Sequence, residues 1–362
     1  MVFTRRNALF RRLTATAVLV IFTFLLQAAV QNIPPFTQNL YLPYSRAVSS
    51  GLALLFSFTS YAVAESLLVL AIAAGLFTLS RSIVRSLREK TAWPFAIWSS
   101  GVIASAAGIA FLFTLIWGGT YHAEKLETRL GLRREPQTEA ILYKTAVKHL
   151  EDIIMYSEIV SADADGFEAL APEAARTVRS LMKADPEIFG NVPVARPKRA
   201  VSYPILTMLG ISGIYSPFTG EAIVNTINTE PFLPSVMTHE LAHRLGFAPE
   251  DDANFIAYLA CMASDEPIFR YSGALMAFMY CYNALRSQDL RHELWSKLPQ
   301  RTIRDFALNR EAWQKYERPV LREIAANVND AYLQTMGQEE GVKSYGLVTD
   351  LLIALYLLES DE

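Results

Sequence analysis

Long apolar runs fill the first third of the chain, and apolar positions mixed with charges at helical spacing fill the rest. Residues 13–30 are 18 positions without a charge, about 27 Å as a helix, enough for most of a bilayer core. A second apolar run covers 61–80 and a third covers 93–117. Glu65 lies near the outer end of the second, where a carboxylate still reaches the headgroups. Trp93, Trp98, Trp117 and Tyr121 are placed like interfacial anchors. The stretch between the first two runs is different. Residues 52–56 are apolar, but Pro43, Arg46 and several serines precede them, which predicts an interfacial or re-entrant helix over 43–58. A cleaved leader is the competing reading of 13–30. The run is long for one, further spans follow, and no convincing cleavage site ends it.

Charge orients these spans. Arg5, Arg6, Arg11 and Arg12 precede the first, and Arg81, Arg85, Arg88 and Lys90 form the turn after the second. Both belong in the cytoplasm by the positive-inside rule, whereas 31–60 holds only Arg46. Three spans from an inside N-terminus place everything after Tyr121 outside the membrane. A full crossing within 36–60 would reverse that.

Beyond Tyr121 the pattern predicts helices over 142–159, 172–182, 250–261, 271–285, 311–327 and 345–358. Pro172 stands at the start of the second of these, and residues 193–197 form a proline-punctuated connector. Residues 204–213 are apolar and end in a glycine turn. Residues 220–228 carry β-branched side chains in partial alternation and read as a strand, broken by Pro231 and Pro234. Pro234 suits the first turn of the helix that follows. The fold class is therefore mainly α with a small β component. A three-helix transmembrane region over 1–121 precedes an extracytoplasmic domain over 122–362.

The helix after that strand contains His239-Glu240-Leu241-Ala242-His243. Residues four apart share a helix face, so His239 and His243 can hold one metal ion, with Glu240 beside it for proton transfer. This is the pattern of zinc hydrolases. Met237, Thr238, Leu241 and Ala242 are uncharged, as a buried metal helix needs, and Gly246 is a good C-cap residue. The strand before the helix reads as an edge on which an extended peptide could pair. Catalytic zinc needs a third protein ligand. Glu250, Asp251 and Asp252 open the next helix; each is a candidate, and each is also favourable there on dipole grounds alone. An H-E-x-x-H-x-x-G-x-x-H ligand set is excluded, because its last position is Pro249.

Other polar residues have plainer readings. Glu221 lines the cleft or is a solvated strand acid. Tyr215, Tyr258 and Tyr271 are core aromatics, or donors to a developing oxyanion. His122, His149 and His292 lack a partner pattern. Cys261 and Cys281 read as buried thiols, and two cysteines make neither a disulfide framework nor a cysteine-rich zinc site. The chain has 362 residues, 52% of them hydrophobic, and a net charge of -3. No basic stripe is present, which excludes a nucleic-acid partner. No nucleophile elbow or phosphate loop is present either.

Several strings carry a resemblance: Trp117-Gly118-Gly119-Thr120-Tyr121 with Leu130-Gly131-Leu132; Gly210-Ile211-Ser212-Gly213-Ile214-Tyr215-Ser216-Pro217-Phe218-Thr219-Gly220-Glu221; His239-Glu240-Leu241-Ala242-His243; Asp252-Ala253-Asn254-Phe255-Ile256-Ala257-Tyr258-Leu259; Phe269-Arg270-Tyr271-Ser272-Gly273; Gly337-Gln338-Glu339; and Gly341-Val342-Lys343-Ser344-Tyr345-Gly346. Over nearly its whole length the chain resembles a bacterial family of multi-pass membrane proteins. That family is a domain of unknown function similar to H-E-x-x-H zinc metallopeptidases of the gluzincin type. The resemblance implies a zincin-like domain with Zn²⁺ on His239, His243 and Asp252. Asp252 would stand where the related proteins use a glutamate one methylene longer. Glu240 would be the general base of peptide hydrolysis, taking a proton from a zinc-activated water of pKa about 7 and passing it to the leaving amine. The implied partners are a peptide or protein substrate and the lipid bilayer. Two other functions are weighed against this. One is a zinc-binding membrane protein without turnover, acting in envelope assembly or sensing; it leaves Glu240 without a use. The other is intramembrane proteolysis, for which 232–247 is too short and too polar.

Overall fold

The structure, a computed structural model, describes residues 2–134, 138–160, 166–338, 341 and 347–361. It divides into two compact units, Met1–Ser45 with Val63–Ala123 and Arg46–Ala62 with Glu124–Glu362.

In the first unit the helices Val2–Asn32, Val63–Glu89 and Trp93–Ile116 match the three apolar runs, and each is long and apolar enough to cross a membrane. Their large apolar side chains, such as Phe24, Leu68, Leu70 and Ile103, are exposed. The second helix continues past the predicted end at 80, through Arg81, Arg85 and Arg88 to Glu89. Arginine is a good helix former, so the change from apolar to basic residues does not stop it. Polar side chains tie the unit together. Arg12 donates to the Ile97 carbonyl. Tyr41 donates its hydroxyl to the Thr114 carbonyl at 2.5 Å and accepts from the Gly119 N–H at 2.9 Å.

The second unit is helical around one small sheet. Its strands are β1 (Lys198–Arg199), β2 (Gly213–Ser216) and β3 (Glu221–Val224), in the order β1-β3-β2. β3 runs antiparallel to β2, with Ile214 opposite Ile223, and parallel to β1, with Lys198 opposite Ile223. The strand read as an edge is therefore the central one, and all four of its residues are buried. It is also shorter than 220–228. Asn225 ends it by turning its side chain onto the local backbone: Oδ1 accepts from the Ile227 N–H at 3.0 Å, and Nδ2 donates to the Ile211 carbonyl at 2.9 Å. Glu221 is neither solvated nor in a cleft. It is buried and paired with Lys198 at 2.6 Å, which locks β3 to β1.

Two helices differ from the sequence reading. Gly166–Ala184 begins before Pro172 and carries that proline in its interior. The single helix expected over 311–327 is two, Gln300–Gln314 and Pro319–Thr335. Pro319 forces Arg318 into an extended conformation, φ -135° and ψ 93°, which no helix tolerates. The last helix is Val348–Asp361. The expected start at 345, together with Glu339 and 342–346 of the quoted strings, lies outside the described residues.

The helix Leu42–Leu55 covers the stretch expected to be interfacial, but from Arg46 onward it belongs to the second unit. Its polar residues are the reason. Arg46 is buried and donates to the carbonyls of Leu245 at 2.6 Å and Ile188 at 2.9 Å, with its guanidinium 5.3 Å from the Phe247 ring. Ser49 accepts from the Tyr215 hydroxyl at 2.7 Å, and Ser50 donates to Pro193. Gly220, at φ +66°, sits so close to the Ser49 carbonyl that a Cβ there would overlap it.

Candidate metal centre

The motif helix is Leu233–Arg244, and ten of its residues are buried. Pro234 starts it. The chain leaves it at Gly246, φ +84°, where Phe247 N–H turns back to the Ala242 carbonyl at 3.3 Å. Against it packs Glu250–Met262, delivered by the turn through Pro249.

That turn decides which acid meets the histidines. Glu250 Oε2 lies 3.3 Å from His239 Nε2 and 3.6 Å from His243 Nε2. The donor atoms of these three residues all fall within 4.8 Å of one another. Tetrahedral zinc with bonds of about 2.0–2.2 Å would hold neighbouring ligand atoms roughly 3.3–3.6 Å apart, so the pocket between them fits such an ion. Asp252, the residue favoured from the sequence, points elsewhere. It takes a hydrogen bond from the Leu126 backbone and lies near Arg134 and Asp251, where burial and Asp251 push it up to about 7. Successive residues on a helix are about 100° apart, so positions 250 and 252 face nearly opposite sides. Asp251 is bound by Arg134 at 2.6 Å. The acid that meets the histidines is thus Glu250, one of the alternatives left open by the sequence.

The electrostatics suit a cation. Burial alone would lower His243, but the Glu250 carboxylate and the Phe247 carbonyl raise it to about 9. Burial opposes ionisation of Glu250, yet His243 and His239 hold it well below the usual carboxylate range. His243 Nδ1–H donates to the Phe247 carbonyl at 2.9 Å, which fixes the ring and turns Nε2 toward Glu250. The two rings meet edge to face, centroids 4.6 Å apart.

Glu240 is 3% exposed, and its Oε2 has no hydrogen-bond partner among the described residues. Burial pushes its carboxyl up to about 7, with the two histidines opposing and Glu250 adding to the rise. A carboxyl with that value can both take and return a proton near neutrality. Gly213 of β2 lies directly against it. A Cβ there would stand 2.8 Å from both Glu240 Cγ and Cδ and would collide with Oε1. The sequence reading missed Gly213, although a glycine in a strand is a signal of close approach. It also missed Tyr280, a half-buried phenol pushed up by burial and by the Glu250 charge.

The other expected candidates do not join this group. Tyr215 is buried on Ser49, and Tyr271 bonds Thr302 and Asp305. Tyr258 packs edge to face on His149. Cys261 and Cys281 are free, buried thiols, each pushed up to about 12 by burial. Arg244 is buried and donates to the Ala195 carbonyl at 2.5 Å.

No curated protein matches this chain. No solved structure matches it either. One family model does, described as "Protein of unknown function (DUF3810)", and it aligns with residues 36–353. That span takes in the Arg46 helix, the sheet, both histidines and all three acids of the second helix, and so the chain belongs to the DUF3810 family.

Proposed function

We propose that the second unit is a zincin-like, membrane-anchored zinc metallopeptidase acting on peptide or protein substrates. The observation that carries this reading is the convergence of His239, His243 and Glu250 at zinc-ligand spacing, with Glu240 buried beside them. Zinc held there would supply Lewis acidity toward a carbonyl and toward water. The chain's own residues do the rest. Glu240 accepts the proton of the attacking water and delivers it to the leaving amine. Gly213, having no side chain, lets the Glu240 carboxylate lie directly against β2. β2 is the outermost strand on its side of the sheet, so its free edge is the one on which an extended peptide aligns.

Three crossings from a cytoplasmic N-terminus put this unit outside the membrane. Two observations support that count. Among the described residues three helices qualify as spans, and Arg46–Ala62, part of the connection between the first two, belongs to the second unit. Both favour a reading without a crossing within 46–62.

The test uses the detergent-solubilised full chain. Glu240→Gln should keep one zinc per chain and lose hydrolysis of a broad peptide library. Equal cleavage by this variant and the wild type, both zinc-loaded, sinks the reading. Zinc bound in both with no cleavage by either moves the protein to the non-catalytic class.

A further inference from the structure

The second unit holds a cavity of about 450 Å³, lined in part by Thr207, Ser212, Arg310, Trp313, Glu317 and Arg322. Its volume falls in the range of small-ligand sites, about 300–1,000 Å³. Ser212 is the chain neighbour of Gly213, the residue pressed against Glu240. Through Ser212 the cavity wall therefore adjoins the first residue of β2 in the chain.

Its walls are built for an anion. Arg310, Trp313 and Gln314 sit three and four positions apart on the helix Gln300–Gln314 and so share a face. Trp313 is fixed by donating its indole N–H to Asn228 Oδ1 at 3.2 Å. Arg322 comes from the next helix. Its stem lies across Gly210, whose φ of +75° and missing Cβ make room for it. Glu317 accepts from Arg322 at 3.2 Å and offsets that one charge. Arg310 has no ion-pair partner among the described residues, so the lining carries one positive charge more than it balances. The floor is a Thr207 hydroxyl, bonded to Asn225 at 3.0 Å. A guanidinium with an adjoining flat indole and hydroxyls matches a carboxylate, which a guanidinium can bind through two parallel N–H groups.

We propose that this cavity is the specificity subsite of the peptidase and binds a substrate carboxylate through Arg310. The carboxylate is either a free C-terminus or an Asp or Glu side chain. The proposal rests on the peptidase reading for the placement of the substrate but not for its own test, which is binding.

Fluorescently labelled heptapeptides are titrated onto the zinc-loaded full chain carrying Glu240→Gln, read by anisotropy. The peptides come in sets: free C-terminus against C-terminal amide, and Glu against Gln at each internal position. The carboxylate form should bind about tenfold tighter or more in one set, as a charged hydrogen bond implies. Arg310→Gln should erase the preference, while Lys315→Gln, a change of equal charge outside the lining, should keep it. Preference in the terminal set identifies the C-terminus as the source, and preference in an internal set identifies the side chain. Equal binding of acid and neutral peptides, or a preference that survives Arg310→Gln, overturns the proposal. The same peptides offered to the wild type separate the two ideas. An Arg310-dependent binding preference without any cleavage keeps the subsite and rejects the peptidase.

Discussion

Gly213→Ala isolates the step assigned to Glu240 from the binding of metal. Gly213 is not among the glycines with positive φ, so alanine costs no backbone strain there. The cost is steric. The new Cβ would stand 2.8 Å from Glu240 Cγ and Cδ, and carbon atoms settle at about 3.5–4.0 Å, so the carboxylate must retreat by roughly 0.7–1.2 Å. The surroundings are close-packed, and overpacking of this kind costs about 1–3 kcal/mol. For a unit of this size that lowers the melting temperature by roughly 2–12 °C. The effect on chemistry is larger, because a misplacement near 1 Å costs on the order of 100-fold in rate. The three atoms nearest the new Cβ all belong to Glu240. The variant should therefore bind zinc as the wild type does while hydrolysing its best library peptide on the order of 100-fold more slowly. Metal analysis and peptidase kinetics on the same preparation decide it. Zinc-loaded Gly213→Ala with wild-type turnover would refute the role given to Glu240 at this position.

The ligand assignment predicts opposite results for two neighbouring acids. Glu250→Gln should weaken zinc binding by more than about 100-fold, beyond the usual loss for outer-shell changes, while Asp252→Asn keeps the metal; a competitive chelator titration distinguishes them, and the reverse pattern removes Glu250 from the site. Zinc affinity should rise with pH between 6 and 9. His243 stays protonated up to about 9 beside Glu250 and must release that proton to bind, so titration calorimetry in two buffers should detect proton release below that value, and a flat profile refutes it. Arg46→Met leaves the Leu245 carbonyl without its donor, while the Ile188 carbonyl keeps Arg129. At roughly 1.5–3 kcal/mol for the charged hydrogen bond lost outright, the second unit should lose about 1.5 kcal/mol or more in chemical denaturation, and a change below about 0.5 kcal/mol contradicts the packing. A fragment starting at 122 lacks Arg46–Ala62 and should not retain zinc in metal analysis; stoichiometric zinc in a folded fragment would show that this segment is dispensable.

What was legible in the sequence was local. The motif helix could be bounded because Pro234 and Gly246 act on their own neighbours, and the three apolar runs because a bilayer imposes its length on each run separately. What was hidden depends on pairing at a distance. β1 is two residues directly after the proline-punctuated connector, and it is a strand through its pairing with β3, across which Glu221 also reaches Lys198. With β1 unseen, β3 looked like an edge. The choice among Glu250, Asp251 and Asp252 was equally non-local. It depends on the angle at which the turn from Gly246 to Pro249 delivers the second helix, and a shift of one residue rotates a different acid toward the histidines.

The segment 46–62, which overlaps the interfacial or re-entrant helix expected over 43–58, shows how the same residues take on a further role in context. Arg46, Ser49 and Ser50 interrupt an apolar stretch, and beside transmembrane runs such an interruption reads as an interfacial helix. In the fold these three are the donors and acceptors that fasten the helix to the second unit. Arg46 is the most consequential. The carbonyl of Leu245 belongs to the end of the motif helix, where main-chain groups lack partners within the helix. A buried cation there satisfies that carbonyl and opposes the negative end of the helix dipole. It does so two residues after His243, at the turn whose Phe247 carbonyl orients the His243 ring. The geometry of the candidate zinc ligands is thus set from a stretch of chain nearly two hundred residues earlier (Arg46 and Leu245 are 199 positions apart). The second unit therefore includes, in Arg46–Ala62, a segment that the chain places between its first two long apolar helices.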